Sequence, residues 1–281
     1  MKKGLVLEGG AMREMFSAGV LDVLMKNNVT FDGAVGVSAG TAFGVNLKSK
    51  QPGRVLRYNL RFAGNPRYAS WKSWFQSGNL YAANFCYHLI PEEYDPFDKK
   101  TFRENPMEFW SVSTDVETGE ADYHLLRDGS YTDLEWVRAS ASIPFFAHPV
   151  AIKGHYYFDG GVSDSIPLTF AEKHYDLNVV ITSQPREYRK GKDKLWPIEK
   201  MVLRQYPAIL KKIKTRSQDY NRCLDEIERQ EKEKKIFVIR PPYPLEIGTV
   251  ETNKDELKRV YQIGINEGQK QLAALKKYLK E

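Results

Sequence analysis

Two short apolar runs, GLVLEG at residues 4–9 and FDGAVGV at 31–37, bracket a stretch where Met12, Phe16, Val20, Val23 and Leu24 recur at helical spacing. That spacing predicts a helix to about Asn27, and AGTAFGVNLK after the second run predicts another. Strand, helix, strand, helix within about 50 residues leaves few folds open. Parallel neighbours need a crossover, the crossover is a helix, and helices then cover the sheet on both faces. The chain is expected to be α/β.

Further along, EFWSVSTDV and EADYHLL flank ETG and predict a hairpin, and HPVAIKGHYYFDGG predicts a second whose outgoing strand ends at Asp159. DLEWVRASASI reads as a helix stopped at Pro144, LTFAEKHY as a helix, and NVVITSQ and KIFVIRP as buried strands. The basic stretch from Leu195 to Lys235 is helical, with Pro207 forcing a kink or break. From about Asp255 the stripe Leu257, Tyr261, Ile265, Leu272, Leu275 and Leu279 makes a closing helix. Residues 52–106 read as irregular, interrupted by Pro52, Pro66, Pro91, Pro96 and Pro106. No linker stands out, so residues 1–281 are expected to form a single domain, with an aromatic-rich insertion at about 52–106 and a basic helical segment at about 186–235.

No apolar run approaches the length of a membrane-spanning helix. The opening MKKGLVLEGG meets Glu8 after four apolar residues and is not read as a secretion signal. Cys86 and Cys223 form no metal-type pair, which fits a reducing compartment; the expectation is a cytoplasmic protein. The net charge of +6 is concentrated: residues 186–235 hold 16 Lys/Arg against 9 Asp/Glu, a surplus of 7, leaving the rest at −1. Such a segment suits anionic lipid, nucleic acid or an acidic partner, or simply a solvated face.

Three short pieces have chemical character. Ser38 stands between Gly36 and Gly40 where a strand becomes a helix. A Gly-x-Ser-x-Gly turn can hold a hydroxyl clear as a nucleophile, with the Ala39 N–H facing the developing oxyanion. The same glycines also serve a plain tight turn. In EGGAMR, residues 8–13, backbone N–H groups of Gly10, Ala11 and Met12 can converge on an anion at a helix start. The loop lacks both the dinucleotide and the P-loop glycine patterns. Arg13 suits either holding that loop or meeting an anionic head group. In YYFDGGVSD, Asp159 closes a strand ahead of two glycines, which also describes a turn.

A serine nucleophile needs a base. Only His174 follows Asp159, and it sits on an apparent helix; His88, His124, His148 and His155 have no metal-ligand spacing. Either the chain is no serine hydrolase, or Asp159 itself takes the serine proton.

The combination resembles the patatin-like phospholipases. GLVLEGGAMREMFSAGVLDVL, GVSAG and FDGG are similar, in the same order, to that family's glycine-rich block, serine elbow and aspartate block. SASIPFFAHPV resembles the segment before the aspartate, and YNRCLDEI, FVIRPPYPLEI and YQIG resemble the bacterial branch. The resemblance implies a three-layer α/β/α sandwich around a mostly parallel sheet, and a lipid acyl hydrolase of phospholipase A or lysophospholipase type. It implies Ser38 as nucleophile, Asp159 as base, and Gly9, Gly10, Ala11 and Met12 lining the oxyanion loop, with no metal or other cofactor. Two positions depart from the pattern: Ala11 stands where a third glycine is usual, and Glu14 where a glycine commonly follows the arginine. Ala11 strains the loop if its φ is positive. Glu14 places a negative charge near an anion-stabilising loop, which weakens activity.

Residues 58–97 carry 11 of the 35 aromatics, among them Tyr68, Trp71, Trp74, Phe75, Tyr81 and Phe85, as an acyl-binding wall or a packed subdomain. Val202, Tyr206, Ile209, Leu210 and Ile213 make an apolar stripe beside Arg204, Lys211, Lys212 and Lys214, fit either for an anionic membrane or for the protein body. The rival to the hydrolase is an idle relative that binds anionic lipid or a protein partner. Nucleic-acid binding would draw on Arg54, Arg57, Arg61, Arg67 and Lys72 among the aromatics, but no recognised motif accompanies them, and no nucleic-acid partner is expected.

Overall fold

A computed structural model describes residues 1–69, 74 and 78–280, so Trp71, Lys72 and Phe75 lie outside the described residues. The first crossover is β1 (Lys3–Leu7), a 3₁₀ turn at Ala11–Glu14, α1 (Met15–Lys26) and β2 (Gly33–Val37), followed by α2 (Ala39–Lys48). Next come α3 (Arg54–Phe62), a wide π-wound segment (Phe85–Tyr94), α4 (Lys99–Glu104), the hairpin β3 (Glu108–Asp115) and β4 (Ala121–Leu126), and α5 (Tyr131–Ser140). The short hairpin β5 (Val150–Ile152) and β6 (His155–Asp159) leads to α6 (Leu168–His174) and β7 (Leu177–Ile181). The chain closes with α7 (Trp196–Val202), α8 (Pro207–Lys232), β8 (Ile236–Ile239) and α9 (Lys254–Leu279).

The strands form one mixed, mostly parallel sheet in the order β5-β6-β3-β2-β1-β7-β8, with β4 paired to β3. From β3 through β2, β1 and β7 to β8 every pairing is parallel; β4, β5 and β6 add the antiparallel pairs. Alternation along β1 divides the core into two layers. Leu5 and Leu7 join Phe16, Leu24, Phe109, Val260 and Leu275 on one face, while Val6 joins Val112, Leu168, Ala171, Tyr220 and Ile227 on the other. Helices α1 and α9 therefore cover one face and α6 and α8 the other, as an all-round apolar parallel strand requires.

Residues 52–106 depart from the irregular reading. Val55, Tyr58 and Phe62 bury one face of α3, which starts after Gly53 in a left-handed conformation (φ +76°). The prolines lie outside α3 and α4; Pro91 sits within the π-wound segment, which widens around it. Pro207 breaks the basic helix as expected, standing at the first turn of α8, where its missing N–H is no loss. The stripe that suited a membrane is packed: Ile209 and Ile213 are buried, and Tyr206 and Leu210 are partly covered, against Phe158, Val162 and Leu203. Of that stripe only Val202 is exposed. No helix among the described residues is long and apolar enough to cross a membrane.

Candidate active site

Sheet register brings the two sequence candidates together. Val37 pairs with Val112, and Ser113 with Asp159, so Ser38, Ser113 and Asp159 stand level across three neighbouring strands. The turn after β2 then lifts Ser38 out of the sheet with φ 55° and ψ −125°, a conformation that only a surrounding structure can impose on a serine. The glycine pattern around it is steric. A Cβ at Gly40 would stand 2.4 Å from the Glu8 carbonyl oxygen, so no larger residue lets the elbow pass this close to the β1 loop.

The Ser38 hydroxyl donates to Asp159 Oδ2 at 2.6 Å, and both side chains are buried. Asp159 Oδ1 accepts from the Gly161 N–H at 2.7 Å, which fixes the carboxylate plane. Burial pushes the Asp159 carboxyl up to about 6, against the opposing pull of Ser38, Gly161 and the Arg216 charge. Residues 140–142 tie the pair from behind. Ser140 Oγ accepts the Ser38 N–H at 2.9 Å and contacts Thr41 Oγ1 at 3.0 Å, while the Ser142 carbonyl accepts the Asp159 N–H at 2.8 Å. These serines belong to the SASIP segment, whose role the spacing of serine and aspartate alone does not reveal.

No histidine lines either cleft that meets at Ser38, among the described residues. His174 is exposed on α6, its Nδ1 2.8 Å from the Phe170 carbonyl and its ring stacked on Phe170. Nor does any group of three His, Cys, Asp or Glu stand ready for a metal among the described residues. Cys86 and Cys223 are free thiols.

The glycine-rich loop departs from expectation at Gly9 and Glu14. The Gly9 N–H donates to the Ser165 carbonyl at 3.1 Å, so Gly9 is already committed. No described residue accepts from the N–H of Gly10, Ala11, Met12 or Ala39, all at helix starts. Ala11 has φ 50°, the strained alternative raised by its lack of a third glycine. Glu14 is fully buried beneath the loop and receives a hydrogen bond from Ser17. Burial, and then the neighbouring Glu8, push it up to about 8. It is therefore held mostly protonated at pH 7, which reduces the expected negative charge. Glu8 is occupied by the Tyr220 hydroxyl and, at 2.7 Å, by the Ser183 N–H.

Two clefts meet at Ser38. One, of about 860 Å³, is apolar and aromatic, lined by Met12, Phe43, Tyr58, Tyr87, Phe97 and Val137 among others. Part of the aromatic insertion thus faces this cleft, while Phe62 and Phe85 pack edge-on in the core behind it (ring centroids 5.1 Å apart). The other, of about 880 Å³, is polar and is lined by Asp159, Arg13, Lys190 and Arg216.

A strained serine elbow touching an aspartate, on a mostly parallel α/β sheet, defines a class of acyl-hydrolase-like folds. The chain belongs to the patatin-like phospholipase family, whose model matches residues 5–172. Residues 206–280 match a further family described as a domain of unknown function, DUF6363. The chain is 26% identical over 295 residues to the uncharacterized protein YjjU of Escherichia coli K12, covering 99% of this chain and 79% of that one. It is 26% identical over 296 residues to lysophospholipase nte1 of Aspergillus oryzae, covering 97% of this chain but only 18% of the fungal protein. Among solved structures, VipD from Legionella pneumophila aligns over 97% of this chain and 67% of its own, at 12% identity and a TM-score of 0.47.

Proposed function

We propose that the protein is a serine acyl hydrolase of lipid esters, with Ser38 as nucleophile and Asp159 as its base. The observation that carries the reading is the 2.6 Å hydrogen bond from the Ser38 hydroxyl to a buried carboxylate. As Ser38 Oγ attacks the ester carbonyl, its proton passes to Asp159. The carbonyl π electrons move onto oxygen, and the tetrahedral oxyanion is met by the unpaired N–H groups of Gly10, Ala11, Met12 and Ala39. Losing one such donor typically slows turnover about 100- to 1000-fold. The intermediate collapses, the alcohol leaves with the proton from Asp159, and a water deprotonated by Asp159 releases the acid. A carboxylate raised to about 6 is a better base than an ordinary one and remains ionised at neutral pH. The aromatic cleft suits an acyl chain. The name of the fungal relative, lysophospholipase, agrees with a lipid ester as substrate.

A fluorophosphonate probe tests this directly: it is expected to label the wild-type chain and neither Ser38→Ala nor the denatured protein. With a lysophospholipid as substrate, kcat/KM is expected to fall about tenfold per pH unit below about 6, as Asp159 takes up a proton. Labelling of Ser38→Ala, or an acid limb governed instead by His174 and removed in His174→Ala, would overturn the assignment. An idle, lipid-binding relative would bind the same lysophospholipid and leave the probe unreacted.

A further inference from the structure

Several basic residues of the segment 186–235 are already paired with carboxylates. Arg186 meets Glu228 and Glu231, Arg189 meets Asp225, Lys212 meets Glu120, and Arg229 meets Glu226 and Glu233. Among the basic residues of the segment without a carboxylate partner, Lys190 and Arg216 stand apart by position. They line the polar cleft over the serine–aspartate pair together with Arg13, and no described carboxylate comes within 4.0 Å of any of the three cationic heads. Arg13 Nε is buried without a hydrogen-bond partner. Three half-buried cations facing one space repel each other, and an anion bound among them would relieve that repulsion.

Each cation on the far side of the cleft is held where it stands. Arg216 donates through Nε to the carbonyl of Gly161, the residue whose N–H binds the Asp159 carboxylate. Lys190 is gripped by Asn221, which accepts the Lys190 N–H at 2.8 Å and donates to its carbonyl at 3.0 Å. The Lys190 ammonium rides over the Tyr220 ring, 5.0 Å from its centroid. Burial, and then Arg216, lower Lys190 to about 8, which leaves it mostly charged at pH 7. The acidic groups facing this space are Asp159, Asp193 and Glu199, with Glu8 behind the loop. Burial and then Asp193 push Glu199 to about 7, so those two neighbours together hold fewer than two charges.

We propose that Arg13, Lys190 and Arg216 form a binding site for a phosphate group on the alcohol half of the ester, opposite the acyl cleft. This assignment rests on the hydrolase reading above for its place in the reaction. Two of the three cations, and the Asn221 and Tyr220 that position one of them, lie beyond residue 172; Arg216, Tyr220 and Asn221 fall in the segment matched as a domain of unknown function. That segment thereby supplies one cation of the phosphate side and the residues that position a second. Guanidinium forks and an ammonium around one pocket suit a tetrahedral oxyanion better than a neutral glycerol.

Binding to the inactive Ser38→Ala chain tests the site without relying on turnover. Calorimetry would compare an ether-linked monoalkyl glycerophosphate, the monoalkylglycerol of the same chain length, and inorganic phosphate. The glycerophosphate is expected to bind at least about 10-fold more tightly than the neutral probe, the worth of one charge-assisted hydrogen bond. In Lys190→Met and in Arg216→Met the gap is expected to close to within about threefold, and in Lys190→Arg to persist. Equal affinity for the two alkyl probes in the parent overturns the proposal, as does a gap untouched in both methionine variants. Inorganic phosphate that binds Lys190-dependently, with no preference for the glycerophosphate, assigns the site to free phosphate and overturns its role in substrate recognition. Should Arg216→Met fail to fold, the two Lys190 variants decide alone. A wild-type chain inert to the fluorophosphonate but selective for the glycerophosphate would sink the hydrolase reading and leave the anion site standing.

Discussion

Ala11 carries the one departure from the family pattern that the backbone registers as strain. Its φ of 50° lies where a Cβ meets the following carbonyl, and glycine adopts it freely. Ala11→Gly is expected to stabilise the protein by about 0.5–1 kcal/mol, the relief of strain exceeding the extra flexibility of the unfolded chain. A thermal midpoint unchanged or lowered in Ala11→Gly would show that the loop is held without strain. The protonation of Glu14 was beyond the reach of a linear reading. A carboxylate looks charged in sequence, and only the burial that places it next to Glu8 keeps it mostly protonated up to about 8. The sign follows for both groups. Folded-state values above the ordinary range mean that Asp159 and Glu14 favour the fold at low pH, and that this contribution is lost as pH rises through about 6 and about 8 respectively. The serine and aspartate themselves were legible, since glycines mark both turns; the taken N–H of Gly9 was not, because its acceptor Ser165 is 156 residues away.

At the scale of elements, α5 and the residues after it do what no motif announces. Ser140 sits at the last position of α5, fully buried, and offers the sole acceptor found for the Ser38 N–H among the described residues. Ser140→Ala leaves that buried donor unsatisfied, which costs about 1–3 kcal/mol. It is expected to lower kcat about 10-fold or more by loosening the elbow, while Ser140→Thr, which keeps the hydroxyl, restores most of the rate. A kcat unchanged in Ser140→Ala would show that the strained turn holds by itself. The hairpins, the first crossover and the break at Pro207 were all readable from period and punctuation. Helix α3 was not, because prolines on either side masked a three-residue apolar stripe. The basic helix was legible only in part: its apolar stripe was found, yet periodicity left open whether the stripe meets lipid or, as here, Phe158 and Leu203.

On the scale of the whole molecule, the segment beyond the matched phospholipase region is woven into the core. Strand β8 extends the sheet beside β7, Tyr220 and Ile227 of α8 fill one layer, and Val260 and Leu275 of α9 fill the other. A chain cut after residue 205 is expected to lose cooperative unfolding and soluble expression, because both apolar layers open at once. A truncated protein with a sharp calorimetric transition would mean that the two matched segments fold independently. The level row of Ser38, Ser113 and Asp159 has a consequence of its own. It depends on counting residues along β6, not on the loop that leads into it. Reopening the chain at the exposed corner Lys153–Gly154, with the old termini joined elsewhere, leaves the row undisturbed. Deleting a single residue between His155 and Phe158 swings the carboxylate through to the far side of the sheet and leaves Gly160, with no side chain, level with the hydroxyl.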